Sequence, residues 1–245
     1  MLWGTATKPV TKPSYHAVVR RVTSAGETTK QIELESADGH SLHFQAGQHI
    51  LVRVAPEPGT GTAAFSIASR PQTNGRFDLC IQIDPKDEKY AWFSTLGPGT
   101  RIEFSGPFGS FKLRQPPAPL SAFIATGTGI APLRAMLQQL FHEQPDSLAV
   151  LFYGARHEEE ILYRDEFESM TRSYSGFQFV PTLSQPPAGW TGLTGYVQQH
   201  LRHYLASKPG VHAYVCGAPR TVDSVRRHLR EIGLAHPAIS FEQYG

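Results

Sequence analysis

The sequence predicts two domains of different class: an antiparallel β-barrel or sandwich, then an α/β domain on a mainly parallel sheet. Three observations carry that prediction. From Tyr15 to Leu113, short alternating runs are broken by Gly, Pro, Asn and Asp. The stretch Gln115-Pro116-Pro117-Ala118-Pro119 then interrupts the chain with three prolines in five residues, which neither a helix nor a sheet interior accepts. After it, apolar runs of strand length alternate with stretches of helical period.

In the first half, residues 16–22, 31–34, 49–54 and 77–83 read as strands, and Asn74-Gly75 reads as a turn. In the second half, Ser121–Ala125 reads as a buried strand. Leu133, Met136, Leu137, Leu140 and Phe141 follow at i, i+3, i+4, i+7 and i+8, one apolar face of a helix. Strand, helix and strand continue through 148–153, 159–170, 177–183, 195–206, 211–216, 221–232 and 239–242. Such alternation gives right-handed crossovers and a ligand crevice beyond the carboxyl ends of the strands. The division is therefore a loose tail at 1–13, a first domain at 14–114, a linker at 115–119 and a second domain at 120–245.

Composition excludes several function classes. The 245 residues are ample for a core, and a formal net charge of +2 gives no basic field for nucleic acid. Two distant cysteines, Cys80 and Cys216, support neither a disulfide framework nor a four-cysteine iron–sulfur cluster. The first residues lack an apolar signal-peptide core, and no apolar run is long enough to span a bilayer. A cytoplasmic location is expected. His200 and His203, three apart on a predicted helix, read as a solvated face, and no metal site is expected. Glu158-Glu159-Glu160 reads as an acidic helix start, and Arg226, Arg227 and Arg230 as an exposed helix face or a docking patch for an acidic carrier.

Four segments carry candidate chemistry. Ala125-Thr126-Gly127-Thr128-Gly129-Ile130-Ala131-Pro132 sits where a strand ends and a helix begins. Glycine permits close backbone approach, Pro132 suits a first helical turn, and the free N–H groups form an anion site for a pyrophosphate. The plain alternative is a tight turn. Val215-Cys216-Gly217-Ala218-Pro219 repeats the strand–turn–helix grammar and puts a thiol at the same sheet edge; alone, such a cysteine reads as a core residue. Phe65-Ser66-Ile67-Ala68-Ser69-Arg70-Pro71 offers an aromatic and a hydroxyl that could meet a flat heterocycle. Alone, that segment is an ordinary strand. Phe241-Glu242-Gln243-Tyr244-Gly245 ends the chain, either at the crevice or as a frayed tail.

Together the four resemble the ferredoxin–NADP reductase superfamily, which includes NAD(P)H:flavin reductases and oxygenase reductase components. Phe44–His49, Gly97–Thr100 and Gly106–Phe111 extend the resemblance, so that it runs from Tyr15 to Gly245. It implies a flavin-binding β-barrel and a nicotinamide-nucleotide α/β domain. It places Phe65 and Ser66 at the isoalloxazine, with Ser66 near N5 and the main chain of Ile67, Ala68 and Ser69 holding the flavin. Thr126, Gly127, Thr128, Gly129, Ala131 and Pro132 would cradle the dinucleotide pyrophosphate. Cys216, with Gly217 and Pro219, would lie by the nicotinamide; Tyr244 would cover the flavin face until nicotinamide displaces it, and Glu242 would help stabilise the transfer complex. Ser66, Cys216, Glu242 and Tyr244 are thus the implied catalytic set, with hydride passing from NAD(P)H to a flavin, FAD in first place and FMN or free flavin as variants.

The sequence departs from the family where an arginine usually meets the flavin phosphate, for that position is Ala63. One lost charge-assisted contact weakens binding by about 1.5–3 kcal/mol. Lys89 is the expected partial substitute. Three readings follow: a flavoprotein that passes electrons to a separate oxygenase, ferredoxin or other carrier; a reductase of free flavin; and a nucleotide-binding subunit that has lost flavin. Ala63→Arg is expected to tighten flavin binding. Gln185, after Ser184, is neutral where NADP-specific members often carry a base, which favours NADH, while Arg156 could still serve a phosphate or ribose.

Overall fold

A computed structural model describes residues 14–26, 28–37, 42–54, 61–84, 86–87 and 92–244. The strands of the first half are β1 (Ser14–Ser24), β2 (Thr29–Ser36), β3 (His49–Arg53), β4 (Thr62–Ser66), β5 (Arg76–Gln82) and β6 (Arg101–Phe108). They pair antiparallel in the order β4-β3-β6-β1-β2-β5, and an isolated bridge from Ile67 to Leu79 draws the two edge strands together into a barrel. Alternation sets the inner face. Ile50 and Val52 pair with Phe65 and Ala63, and all four are buried in the barrel core with Phe77 and Phe104. Asn74 accepts the Arg76 N–H at 3.0 Å and Gly75 takes a φ of +73°, the turn expected there.

The second half holds β7 (Leu120–Thr126), β8 (Ala149–Ala155), β9 (Phe177–Leu183), β10 (Leu193–Thr194), β11 (Val211–Gly217) and β12 (Ile239–Gln243). All neighbours are parallel, in the order β10-β9-β8-β7-β11-β12. The chain moves outward from β7 through β8 on one side and through β11 on the other, so β7 and β11 flank the switch point where such sheets bind ligands. The helices are α1 (Ile130–Glu143), α2 (Arg164–Ser173), α3 (Leu201–Leu205) and α4 (Pro219–Glu231).

Three expectations need correction. The helix expected over 159–170 is a short 3-10 turn at Glu158–Glu160 and then α2, because Tyr163 adopts a left-handed φ of 58° that no continuous helix allows. The helix expected over 195–206 is likewise a 3-10 turn, Val197–Gln199, followed by the short α3. Arg226 does not lie free on an exposed face; its guanidinium stacks 3.6 Å from the Phe241 ring and pairs with Asp223. The tail expected at 1–13 lies outside the described residues.

The two halves share a core. Ala46, Ala68 and Cys80 from the barrel, and Phe111 and Leu113 from the segment after β6, pack with α1 and the parallel sheet. Gly47 is needed at this joint: a Cβ there would lie 2.2 Å from the Phe111 carbonyl oxygen and 2.4 Å from the Met136 methyl. Residues 115–119 run without regular structure into β7. Among the described residues, no helix is long and apolar enough to cross a membrane.

Candidate functional site

The site forms where β4 of the barrel meets the carboxyl edge of the parallel sheet. The expected glycine turn follows β7. Gly127–Gly129 is a 3-10 turn that runs into α1, with Gly127 at a φ of +53°. Gly129 is pressed onto β11, where a Cβ would come 2.4 Å from the Cys216 carbonyl oxygen. Ala131 and Pro132 are buried in the first turn of α1. Gly217 closes the same contact from the other side, for its Cβ would lie 2.5 Å from the Thr126 hydroxyl. Pro219 opens α4 as expected of a helix-starting proline.

Four side chains from distant segments converge here. Glu242 of β12 pairs in register with Cys216 of β11, which itself pairs with Ala125 of β7. The Ser66 hydroxyl donates to Glu242 Oε1 at 3.1 Å and so joins barrel to sheet. The Tyr244 hydroxyl donates to the Thr126 carbonyl at 2.7 Å and accepts the Gly129 N–H at 3.1 Å. The C-terminal aromatic is therefore anchored to the glycine turn.

The electrostatics favour neutral groups. Burial raises the Glu242 carboxyl above the usual carboxylate range, opposed by the Ser66 hydrogen bond. Burial and the nearby Glu242 carboxyl push the Cys216 thiol far up, so it stays protonated at neutral pH and is no thiolate nucleophile. Burial also raises the Tyr244 phenol.

A groove of about 960 Å³ lies along the sheet edge and meets this junction at Thr126, whereas Ser66, Cys216, Glu242 and Tyr244 do not line it, and Cys216 is buried in the shared core. Thr126, Gly127 and Thr128 form its floor, with Arg156, Ser184 and Gln185 from the strands beyond. Gly26, Thr28, Thr29 and Gln82 supply a barrel wall. Its size and its mix of main-chain and polar groups fit a dinucleotide. Arg220, Thr221 and Ser224, in the first turns of α4, line the groove and were not anticipated; the signal lay in the helix start at Pro219, whose first turn must face the same edge. Tyr196 and Gln198 line it too, from a 3-10 turn with no sequence signature.

The barrel segment is placed differently from its neighbours. Ser66 is half-buried at the junction, but the Phe65 ring is only 8% exposed and meets Phe93 edge-on with centroids 4.9 Å apart. Ile67 and Ala68 are fully buried, and the Ser69 hydroxyl accepts the Asp78 N–H at 3.0 Å. Ala63, 2% exposed, faces the barrel core beside Val52, so an arginine there would bury its charge unless it left the core. The expected gain in flavin affinity from Ala63→Arg loses its basis. Lys89 lies outside the described residues. Among the described residues, no group of three or more His, Cys, Asp and Glu side chains could hold a metal.

Comparison with known proteins bears on the same two halves. Residues 16–113 match the oxidoreductase FAD-binding domain family and residues 123–227 the oxidoreductase NAD-binding domain family. Ferredoxin–NADP reductase B of Sorangium cellulosum (strain So ce56) is 36% identical over 225 residues, covering 88% of this chain and 91% of that protein. Phenol hydroxylase P5 protein of Acinetobacter pittii (strain PHEA-2) is 32% identical over 234 residues, covering 94% of this chain; the chain spans only 65% of that longer protein. The crystal structure of the Amycolatopsis cytochrome P450 reductase GcoB superposes with a TM-score of 0.84 at 25% identity, covering 98% of this chain and 73% of that one. The architecture, the paired domains and the relative that matches almost end to end agree, and the chain belongs to the ferredoxin reductase-type family of FAD- and NAD(P)-binding oxidoreductases, as a flavin-dependent NAD(P)H oxidoreductase.

Proposed function

We propose that this oxidoreductase draws hydride from NAD(P)H, with NADH preferred, and sends electrons through a resident FAD to a separate oxygenase component or ferredoxin-type carrier. The convergence of Ser66, Glu242 and Cys216 beside the glycine turn carries this reading. Relatives named ferredoxin–NADP reductase B and phenol hydroxylase P5 protein support the choice of acceptor class. A cytoplasmic location accords with two free cysteines, both buried.

Bound FAD would supply the hydride-accepting and electron-donating chemistry. The protein supplies position and electrostatics. Ser66 would offer its hydroxyl to the flavin, and Glu242 holds that hydroxyl by accepting its hydrogen bond. The buried, protonated Cys216 thiol would adjoin the nicotinamide without competing as a nucleophile. Thr126, Gly127, Thr128 and Gly129 offer main-chain groups to the pyrophosphate, and Gly217 lets the two turns close together. Tyr244, which accepts the Gly129 N–H, would yield it to a bound dinucleotide. Gln185 brings no charge to the adenosine end, which favours NADH, and Arg156 supports residual use of NADPH. Orientation of the two rings supplies most of the rate.

The direct test is the visible spectrum of the purified protein, followed by identification of flavin released on heating. Near-stoichiometric FAD, with NADH oxidised at higher kcat/KM than NADPH in the presence of an electron-accepting protein, is the expected result. A colourless protein that oxidises NADH only with added flavin would replace the resident cofactor by a flavin substrate.

A further inference from the structure

Arg134 lies on the second turn of α1, outside the groove, with its side chain 9% exposed. Such burial of an arginine demands partners, and here they come from three separate segments. Its Nε donates to Glu166 of α2 at 2.7 Å. Its Nη1 donates to the Ala68 carbonyl at 2.8 Å and to Asp78 of β5 at 3.1 Å. Its guanidinium carbon lies 4.4 Å from the centroid of the Tyr163 ring.

Those partners are themselves tied to the segment that follows Ser66. The Ala68 N–H donates to the Asp78 carbonyl at 2.8 Å, and the Asp78 N–H donates to the Ser69 hydroxyl at 3.0 Å. Gln138, one turn along α1, accepts the Arg70 N–H at 3.0 Å and donates to Glu166 at 2.7 Å. The helix whose first turn forms the nucleotide site thus grips, through its next two turns, the barrel segment 68–70. Ser66 lies two residues before that grip.

We propose that Arg134 is a positioning residue for hydride transfer: it sets the Ser66–Arg70 segment of the barrel against the nucleotide turn, so that the two cofactor sites are held in register by one helix. The proposal rests on the reading of Ser66–Ser69 as a flavin-holding segment. Lysine cannot replace Arg134, because one ammonium lacks the planar fork that meets Glu166, Ala68 and Asp78 together.

The test compares Arg134→Lys and Arg134→Met with the wild-type holoenzyme. Amide exchange over residues 66–70 should speed up in both variants while β8 and β11 keep their protection. Flavin reduction by NADH in stopped flow should slow about ten- to a hundredfold, the range expected for a small misplacement of reacting groups. Reduction by dithionite, which needs no nucleotide register, should keep its wild-type rate, and the KM for NADH should stay within about twofold. Unchanged exchange over 66–70 with a wild-type reduction rate would overturn the proposal, even if the melting temperature falls. Should Arg134→Met fail to fold, Arg134→Lys decides on the same readouts. A wild-type protein that binds no FAD would defeat the flavin reading itself, while the exchange comparison still reports on the grip.

Discussion

The two glycine turns at the sheet edge share a grammar and do different work. The turn after β7 acts through its backbone: Gly127 takes a positive φ, and Thr126 and Gly129 present main-chain atoms that Tyr244 now holds. The turn after β11 leads into side chains, with Cys216 before it and Arg220, Thr221 and Ser224 after it. Each glycine also makes room for the other turn, Gly129 for the Cys216 carbonyl and Gly217 for the Thr126 hydroxyl. A glycine in a nucleotide motif is therefore not kept for the ligand alone. At this switch point two of the three are packing requirements between adjacent turns.

The strongest way to break that comparison is Gly129→Ala. Its Cβ would fall 2.4 Å from a backbone oxygen, which cannot swing away as a side chain would. Overpacking of this kind should cost about 1–3 kcal/mol in denaturant unfolding and remove most NADH oxidation. Stability like the wild type would return Gly129 to a purely ligand-binding role.

Cys216→Ala probes the second turn with less disturbance. Hydride transfer should slow about tenfold in single-turnover measurements, since ring orientation suffers and the fold does not. Flavin affinity, followed by fluorescence titration, should barely move. An unaltered transient rate would place the thiol away from the nicotinamide.

Tyr244→Phe sharpens the account of the first turn. It keeps the ring and frees the Gly129 N–H and the Thr126 carbonyl. Loss of the two hydrogen bonds should lower stability by about 1 kcal/mol. The KM for NADH should fall by up to about fivefold, the same energy read as affinity. A rise in KM would show that the hydroxyl assists the nucleotide.

The smallest effect is a pH dependence. The Glu242 carboxyl is raised in the folded protein by burial. Its contribution to stability is therefore fully present below the ordinary carboxylate value and is lost as pH rises through the raised one. Glu242→Gln removes that loss. Melting temperatures from acid to neutral pH should show the variant gaining on the wild type as pH rises, and parallel curves would mean that Ser66 fully compensates the burial.

Much of this molecule is legible locally. The inward alternation at Ile50 and Val52, the apolar face of α1 and the glycines after β7 and β11 are short-range patterns, and a chain has few ways to satisfy them. Other features escaped. The break at Tyr163 follows from a left-handed residue that no periodicity marks. Arg226 looked exposed because its partner, Phe241, arrives from the next strand. Ala63 matched a family position, but strand parity with Val52 turns it to the core.

Sequence by itself determined the two fold classes, the domain order and the two strand–turn–helix motifs, because each depends on neighbours within a few residues. Only the tertiary structure decided that Ser66 would meet Glu242, 176 residues away, and that Tyr244 would anchor Thr126, 118 residues away. It alone decided that Arg134 would gather Ala68, Asp78 and Glu166. The physical reason is the same in each case. A buried polar group takes whichever partner the packed chain delivers to it, and that partner's place in sequence leaves no local trace.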